Sequence, residues 1–340
     1  MSEFLRACRR EPTAFTPIWL MRQAGRYQPE YRALRARYGF VEMCKNPDVA
    51  AEVTILPVTQ LGVDAAILFA DILLILEPLG IGFEFTKDDG PRIAKPVRVA
   101  ADVNAVAERI DPQESLGYVL EAVKKTRSGL PSGVPLIGFS GAPFTLASYV
   151  IEGSGSRDYM HTKAMMFGDP GAWNALMEKL TSAVALYLNA QVKAGVQAVQ
   201  VFDSWIGALS PADYQQYVQP HMKRLFAALD HSVPAIHFGT GNPALYPMMK
   251  AAGGDVIGID FRCDLGSTWD ALGDVALMGN LDPYSLLAPR AELEKRAKRV
   301  LDGACGRAGH VFNLGHGLFP EASVDKVRML VDYVHAASAR

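Results

Sequence analysis

Residues 171–204, GAWNALMEKLTSAVALYLNAQVKAGVQAVQVFDS, hold the pattern that decides the fold. Gly171 to Ala194 is a long amphipathic stretch with apolar residues at helical spacing. Ala198 to Phe202 is a short run rich in β-branched and aromatic residues, as a buried strand requires, and it ends in the polar pair Asp203-Ser204. The same unit recurs along the chain. Ile18 to Met21 is the first such run. Ala65 to Phe69 follows a helical pattern from Pro47 to Gln60, and Pro135 to Phe139 follows one from Gln113 to Arg127. Pro234 to Phe238 follows a helix opening at Ser210-Pro211, and weaker runs are Val256 to Ile259, Val275 to Met278 and His310 to Asn313. Ser210-Pro211, Asn46-Pro47 and Asp111-Pro112 each place a capping side chain before a proline at the first helical position. Gly80 to Lys95 reads as a β-hairpin inserted in the second crossover, and Gly153 to Arg157 (GSGSR) as a mobile loop.

Eight strands alternating with helices predict an α/β fold, a single (β/α)8 TIM-type barrel with its active-site cleft at the C-terminal strand ends. No Pro/Gly/Ser linker divides the chain, so residues 1–340 read as one domain. An open doubly wound sheet is the alternative. It is weakened because no strand ends in GxGxxG, and Gly239-Thr240-Gly241 is a lone GxG. The chain has 340 residues, 49% hydrophobic and 21% charged, a composition that excludes disorder and collagen-like repeats. A net charge of −2 argues against a general nucleic-acid binder, so a strongly charged ligand must be met by a local cluster. Cys8, Cys44, Cys263 and Cys305 have no metal-ligand spacing and read as inert buried thiols. The N-terminus lacks the apolar core of a secretory signal. The most membrane-like run, Ala65 to Leu76, is too short to span a bilayer and carries Asp71 in its middle. The expectation is a reduced, cytoplasmic protein with no membrane or nucleic-acid partner and no metal.

In a barrel the chemistry sits on the loops leaving the C-terminal strand ends. Arg22, Gln23 and Arg26 follow the first run, Asp71 the second, and Ser140 with Tyr149 the third. Asp203-Ser204, Asp260, Asn280 with Asp282, and His316 follow later ones. Arg22 and Arg26 flank Gln23-Ala24-Gly25, so two guanidinium forks can aim at one place, as multiple carboxylates or phosphates require. A solvated basic surface, or ion pairs with Glu30 and Glu42, would explain them equally. Asp71 stands in an apolar run where an unpaired carboxylate is costly. It must be paired with an arginine, cap a helix, or face a ligand offering N–H donors. His316 lies between Gly315 and Gly317, which let backbone approach a ligand closely. His237, inside a strand, reads as a core histidine. Tyr149 and Ser204 taken singly could be core hydrogen-bonding groups.

These residues lie in recognisable motifs. Pro17-Ile18-Trp19-Leu20-Met21-Arg22-Gln23-Ala24-Gly25-Arg26 resembles the N-terminal signature of the uroporphyrinogen decarboxylase family. Gly138-Phe139-Ser140-Gly141-Ala142-Pro143-Phe144-Thr145-Leu146, followed by Tyr149 and Glu152-Gly153, resembles its second signature. Phe69-Ala70-Asp71-Ile72-Leu73, Phe202-Asp203-Ser204-Trp205 and Asn313-Leu314-Gly315-His316-Gly317 fit as well. The resemblance runs from about residue 12 to 337. It implies a single (β/α)8 barrel, a homodimer, and no metal or organic cofactor. It also implies removal of carbon dioxide from the four acetate arms of uroporphyrinogen III, giving coproporphyrinogen III on the heme pathway.

Carried onto matching positions, the resemblance makes Arg22, Arg26 and Arg35 holders of substrate carboxylates, helped by the backbone of Gln23, Ala24 and Gly25. Asp71 would face the pyrrole N–H groups. Tyr149, Ser204 and His316 would line the pocket, with Asp71, Arg22, Tyr149 and His316 the catalytic group. The substrate carries eight carboxylates, so an arginine-rich mouth is expected even on a near-neutral protein. Protonating a pyrrole makes the ring its own electron sink, and a fixed negative charge then stabilises the cation. Asp260-Phe261-Arg262 and Phe238-Gly239-Thr240-Gly241 depart from the expected pattern. The rival is a corrinoid-linked methyltransferase of the same superfamily, but its His-x-Cys zinc pair would fall on His237-Phe238-Gly239, with glycine where a thiolate is needed.

Overall fold

The structure, a computed structural model, describes residues 2–86 and 90–340. Seven strands form one curled parallel sheet in the order β1 (Ala66–Ile67), β4 (Leu136–Gly141), β5 (Ala198–Asp203), β6 (Ala235–Gly239), β7 (Val256–Gly258), β8 (Ala276–Met278) and β9 (His310–Val311). The hairpin β2 (Phe83–Thr86) and β3 (Gly90–Ile93) pairs antiparallel as a separate sheet, as expected for 80–95. Its turn lies outside the described residues.

Strand alternation divides the core in two. Gly141, Phe202, Phe238, Gly258, Met278 and Val311 lie side by side in one row. Phe238, Met278 and Val311 join Trp19, Met21, Ala65, Ile137, Ala198, Ile236, Val256 and Ala276 in one buried cluster on the inner face. The alternate row, Val201, His237, Ile257, Leu277 and His310, runs between. Val201, Ile257 and Leu277 belong to the larger cluster beneath the helices. Gly258 admits its large neighbours: a Cβ there would lie 2.8 Å from the Phe238 ring and 2.9 Å from Met278.

The expected first strand is reduced to a single bridge, Ile18 to Phe312. On the β9 side Phe312 donates to Pro17 O (2.8 Å) and Trp19 to Phe312 O (3.3 Å). On the β1 side Asp64 N–H donates to Ile18 O (2.8 Å), but Ile18 N–H donates to the Asp64 carboxylate at 2.7 Å instead of to a strand. That side-chain acceptor takes the donor a ladder would use.

The helix starts stand where the caps place them. Asn46, Asp111 and Ser210 accept N–H groups of the first turns of Pro47–Leu61, Pro112–Ser115 and Pro211–Tyr217. The helix expected over 113–127 divides at Leu116 into Pro112–Ser115 and Gly117–Gly129. Cys8 and Cys44 are buried thiols, but Cys263 is half-buried and Cys305 exposed, so the uniform burial expected of the cysteines does not hold. Among the described residues no helix is long and apolar enough to cross a membrane.

Candidate functional site

Backbone bonding brings the two ends of the chain together at the C-terminal strand ends. Met21 N–H donates to the buried Asn313 Oδ1 (3.2 Å), and Leu318 N–H donates to Met21 O (2.9 Å). Arg22 and His316 are thereby neighbours. Arg22 has a left-handed backbone, φ 60°, uncommon for a side chain of this size and a form of strain that clusters at functional sites. Gly317 lets it fit, since a Cβ there would lie 2.6 Å from Arg22 Cδ. Gly315 likewise abuts the backbone of Asp260 and Phe261. The two glycines around His316 therefore serve close packing between loops, and that accounts for them without a ligand.

Asp71 opens the chain after β1 and is half-buried. Its Oδ1 accepts Leu73 N–H at 2.8 Å, the turn-capping role that sequence left open. No arginine or lysine nitrogen stands within ion-pair distance of it among the described residues, so the buried-pair reading is excluded. Burial pushes its pKa up to about 6, against the smaller opposing pulls of the Leu73 N–H and Arg22. Phe69 meets Tyr31 at 5.9 Å and Phe40 at 5.8 Å, both edge-on, and so docks the helix Pro29–Arg37 beside this loop. Gly141 lets Ile72 approach, where a Cβ would lie 3.3 Å from Ile72 Cβ.

Tyr149 stands on the helix Pro143–Glu152 that leaves β4. Burial, then the charge of Asp71, raises its pKa to about 12, so it is a neutral hydroxyl near that carboxylate. Its ring meets Trp205 edge-on at 5.7 Å. Thr145 Oγ1 donates to Asp203 Oδ1 (3.1 Å) and accepts Trp205 N–H (3.3 Å), tying the Ser204 loop to the helix of Tyr149. Ser204 is half-buried, and its carbonyl accepts Thr240 Oγ1 at 2.8 Å. His316 is open to solvent at the mouth. Partial burial of its ring, then the charges of Arg22 and Arg262, push its pKa down, so it is a neutral imidazole at pH 7.

The arginines divide by environment. Arg22 and Arg26 are exposed, Arg35 half-buried, and none of the three pairs with a carboxylate among the described residues, Glu30 and Glu42 included. Arg35 donates to Tyr38 O (2.7 Å) with its guanidinium 5.9 Å from the Phe40 ring centre. Arg32 turns back onto the carbonyls of Arg26 (2.9 Å) and Tyr27 (3.1 Å) and is structural.

Several of the expected site groups bond within the protein. Gln23 is buried and donates to Ala65 O, and its own N–H bonds Leu20 O. Gly25 N–H donates to Gln28 Oε1 at 3.0 Å. The turn backbone at Gln23 and Gly25 is thus engaged internally. Ala24 is half-buried within the same turn. Asp203, Asp260, Asn280 and Asp282, all candidates by position, bond neighbouring loops or cap turns, and the Ser140 hydroxyl donates to the adjacent Gly141 carbonyl. Asp203 lies behind the sheet because alternation turns its side chain away from the inner face. His237 is fully buried against Phe226, as expected of a core histidine. Two surface clefts, around Arg109–Gln113 with Lys193 and around Arg9, Arg10, Trp269 and Arg307, contain none of the site residues.

What remains at the strand ends is a half-buried carboxylate with one backbone donor near a neutral tyrosine, a neutral histidine beside Arg22, and the exposed guanidiniums of Arg22 and Arg26. That defines a class: an α/β protein whose strand ends carry exposed guanidiniums near a half-buried carboxylate. The particular family follows from comparison with known proteins. The family model described as uroporphyrinogen decarboxylase (URO-D) matches residues 1–337, and the chain belongs to that family. It is 55% identical over 335 residues to the uroporphyrinogen decarboxylase of Sorangium cellulosum, covering 98% of this chain and 95% of that one. It is 53% identical over 338 residues to the enzyme of that name from Carboxydothermus hydrogenoformans, with 99% and 96% covered. Among solved structures a methyltransferase from Methanosarcina mazei superposes with TM-score 0.82 at 19% identity, covering 98% of each chain. A putative vitamin-B12 independent methionine synthase from Listeria monocytogenes gives 0.62 at 12% identity, covering 100% of this chain and 99% of that one. Those two likenesses speak to the fold alone.

Proposed function

We infer that this chain is a carboxy-lyase that converts the four acetate arms of uroporphyrinogen III to methyl groups, giving coproporphyrinogen III. The observation that carries the reading is the near-full-length identity to enzymes named for this reaction, on a chain whose unpaired Arg22 and half-buried Asp71 suit its chemistry.

The chemistry follows from the substrate. A pyrrole acetate cannot lose carbon dioxide until its electrons have somewhere to go. A proton added to the ring carbon next to the acetate-bearing one makes a conjugated iminium. The bond from methylene to carboxylate then breaks, its electron pair forms an exocyclic double bond, and the nitrogen becomes neutral. A proton on the methylene carbon and loss of the added ring proton restore the pyrrole with a methyl group. The net change per arm is one proton consumed and one carbon dioxide released.

We assign Asp71 to the pyrrole nitrogens, where its charge offsets the developing cation. Its environment supports this, since few donors solvate it and a cation close by would relieve the desolvation. Arg22, Arg26 and Arg35 hold acidic arms. Tyr149, Ser204 and His316 position arms or a proton-carrying water, and the raised pKa of Tyr149 makes it a donor of hydrogen bonds and not a base.

The closed eight-stranded barrel belongs to the same reading, with Pro17–Met21 as eighth staves between β9 and β1, supported by the bonds of Pro17, Ile18 and Trp19. So do a single domain over 1–340, a cytoplasmic location and a homodimer, the last testable by sedimentation. The methyltransferase alternative finds less support, because the position where its zinc pair needs a thiolate is Gly239, packed on Met249 and Ile206. Anaerobic incubation with uroporphyrinogen III, followed by oxidation and chromatography, tests the activity. Products with seven to four carboxyls are expected, and their absence overturns it.

A further inference from the structure

Arg262 follows β7, which stands fifth in the sheet order from β1, so it enters the mouth from a different wall than the loop of Asp71. Its Nη1 donates to Asp260 Oδ2 at 2.7 Å. Its guanidinium lies 4.5 Å from the Phe261 ring centre. Asp260 is fully buried and already accepts Gly241 N–H (2.6 Å) and Arg262 N–H (2.9 Å). The carboxylate therefore has backbone donors for both oxygens, while the arginine side chain is 50% exposed. Among the described residues the rest of its donor fork has no partner. Two of its contacts, the carboxylate and the aromatic face, hold the side chain in place. Gly315 rests on the backbone of Asp260 and Phe261, which sets His316 beside this arginine.

A guanidinium fixed in orientation, half open, and adjacent to a residue of the candidate site is a preorganised carboxylate receptor. We propose that Arg262 is a further substrate-binding residue, gripping one acidic arm of the macrocycle from the β7 side of the mouth. It rests on the functional reading above and names the arm-binding cation that reading lacks on the β7 side. With it, one more cation is offered to the acidic arms, as an eight-carboxylate ligand demands. The Asp260-Phe261 pair then acts as the positioning support.

The test is steady-state kinetics with uroporphyrinogen III over a range of ionic strength, for wild type, Arg262→Gln and Arg262→Lys. Loss of one charged hydrogen-bonding contact at a half-exposed site is expected to raise KM about tenfold in Arg262→Gln, with kcat within about twofold. Arg262→Lys recovers part of the loss. Wild-type KM rises with salt, and the rise is shallower in Arg262→Gln because one screened contact has gone. A loosened loop would leave that slope as in wild type, so an unchanged slope overturns the inference even where KM rises. A KM within twofold of wild type overturns it as well. Wild-type turnover in the same assay is the separate test of the functional reading, so failure of either is distinguishable.

Discussion

Two aspartates close strand ends of the same sheet and have opposite fates. Asp260, after β7, is fully buried and accepts two backbone N–H groups and an arginine. Asp71, after β1, is half-buried, accepts Leu73 N–H, and has no cation within ion-pair distance among the described residues. Desolvation accordingly holds its pKa near 6. A satisfied carboxylate fixes loops, whereas an underprovided one is open to a cation, which is the role proposed for Asp71. The same division runs through the arginines: Arg32 is turned back onto carbonyls, while Arg22 and Arg26 stay open.

The sharpest way to break this contrast is Asp71→Asn. Turnover of uroporphyrinogen is expected to fall about 10²- to 10³-fold, the typical cost of removing a preorganised charge. Its melting temperature should equal or exceed that of wild type at pH 8, since no charge is left to desolvate. Normal turnover would erase the distinction between the two aspartates. Asp260→Ala should do the reverse, lowering stability by about 2 kcal/mol in urea unfolding, because Gly241 N–H and Arg262 lose their acceptor. An unchanged midpoint would show that the pair supports nothing.

The pH dependence sharpens the comparison further. In the proposed role Asp71 works as the carboxylate, so kcat/KM should decline as pH falls through about 6, and Asp71→Asn should lack that limb. For stability the sign is opposite to that of a salt-bridged aspartate. The folded state binds the proton more tightly than the unfolded one between 3.8 and about 6, so the contribution of Asp71 to stability falls as pH rises through that window. The smallest effect is expected from Gly317→Ala, whose Cβ would press on Arg22 Cδ at 2.6 Å. It should raise KM about threefold through displacement of Arg22, with little change in kcat.

The sheet was legible in the sequence where strands are buried on both faces. Ala198–Asp203 and Ala235–Gly239 are near-continuous apolar runs, and that pattern has few other readings. Ile18–Met21 looks the same, yet its ladder is cut to a single bridge because Ile18 N–H is taken by the distant Asp64 carboxylate, which no local pattern reveals. Of the site, the arginines and Asp71 could be singled out as polar residues in the wrong company. Gln23, Asp203 and Asp260 could not be sorted from them, because whether a polar group faces substrate or scaffold depends on partners distant in sequence. Arg262 was visible as a departure from pattern, but its meaning needed Gly315 and His316 beside it. A signal was present there: an arginine two residues after a strand-end aspartate, with an aromatic between them.

The central claim is that Asp71 faces the ring nitrogens. A crystal structure with coproporphyrinogen bound tests it most directly. Carboxylate oxygens of Asp71 about 3 Å from pyrrole nitrogens would bear the claim out. A macrocycle seated with its nitrogens away from Asp71, or met by some other group, would contradict it.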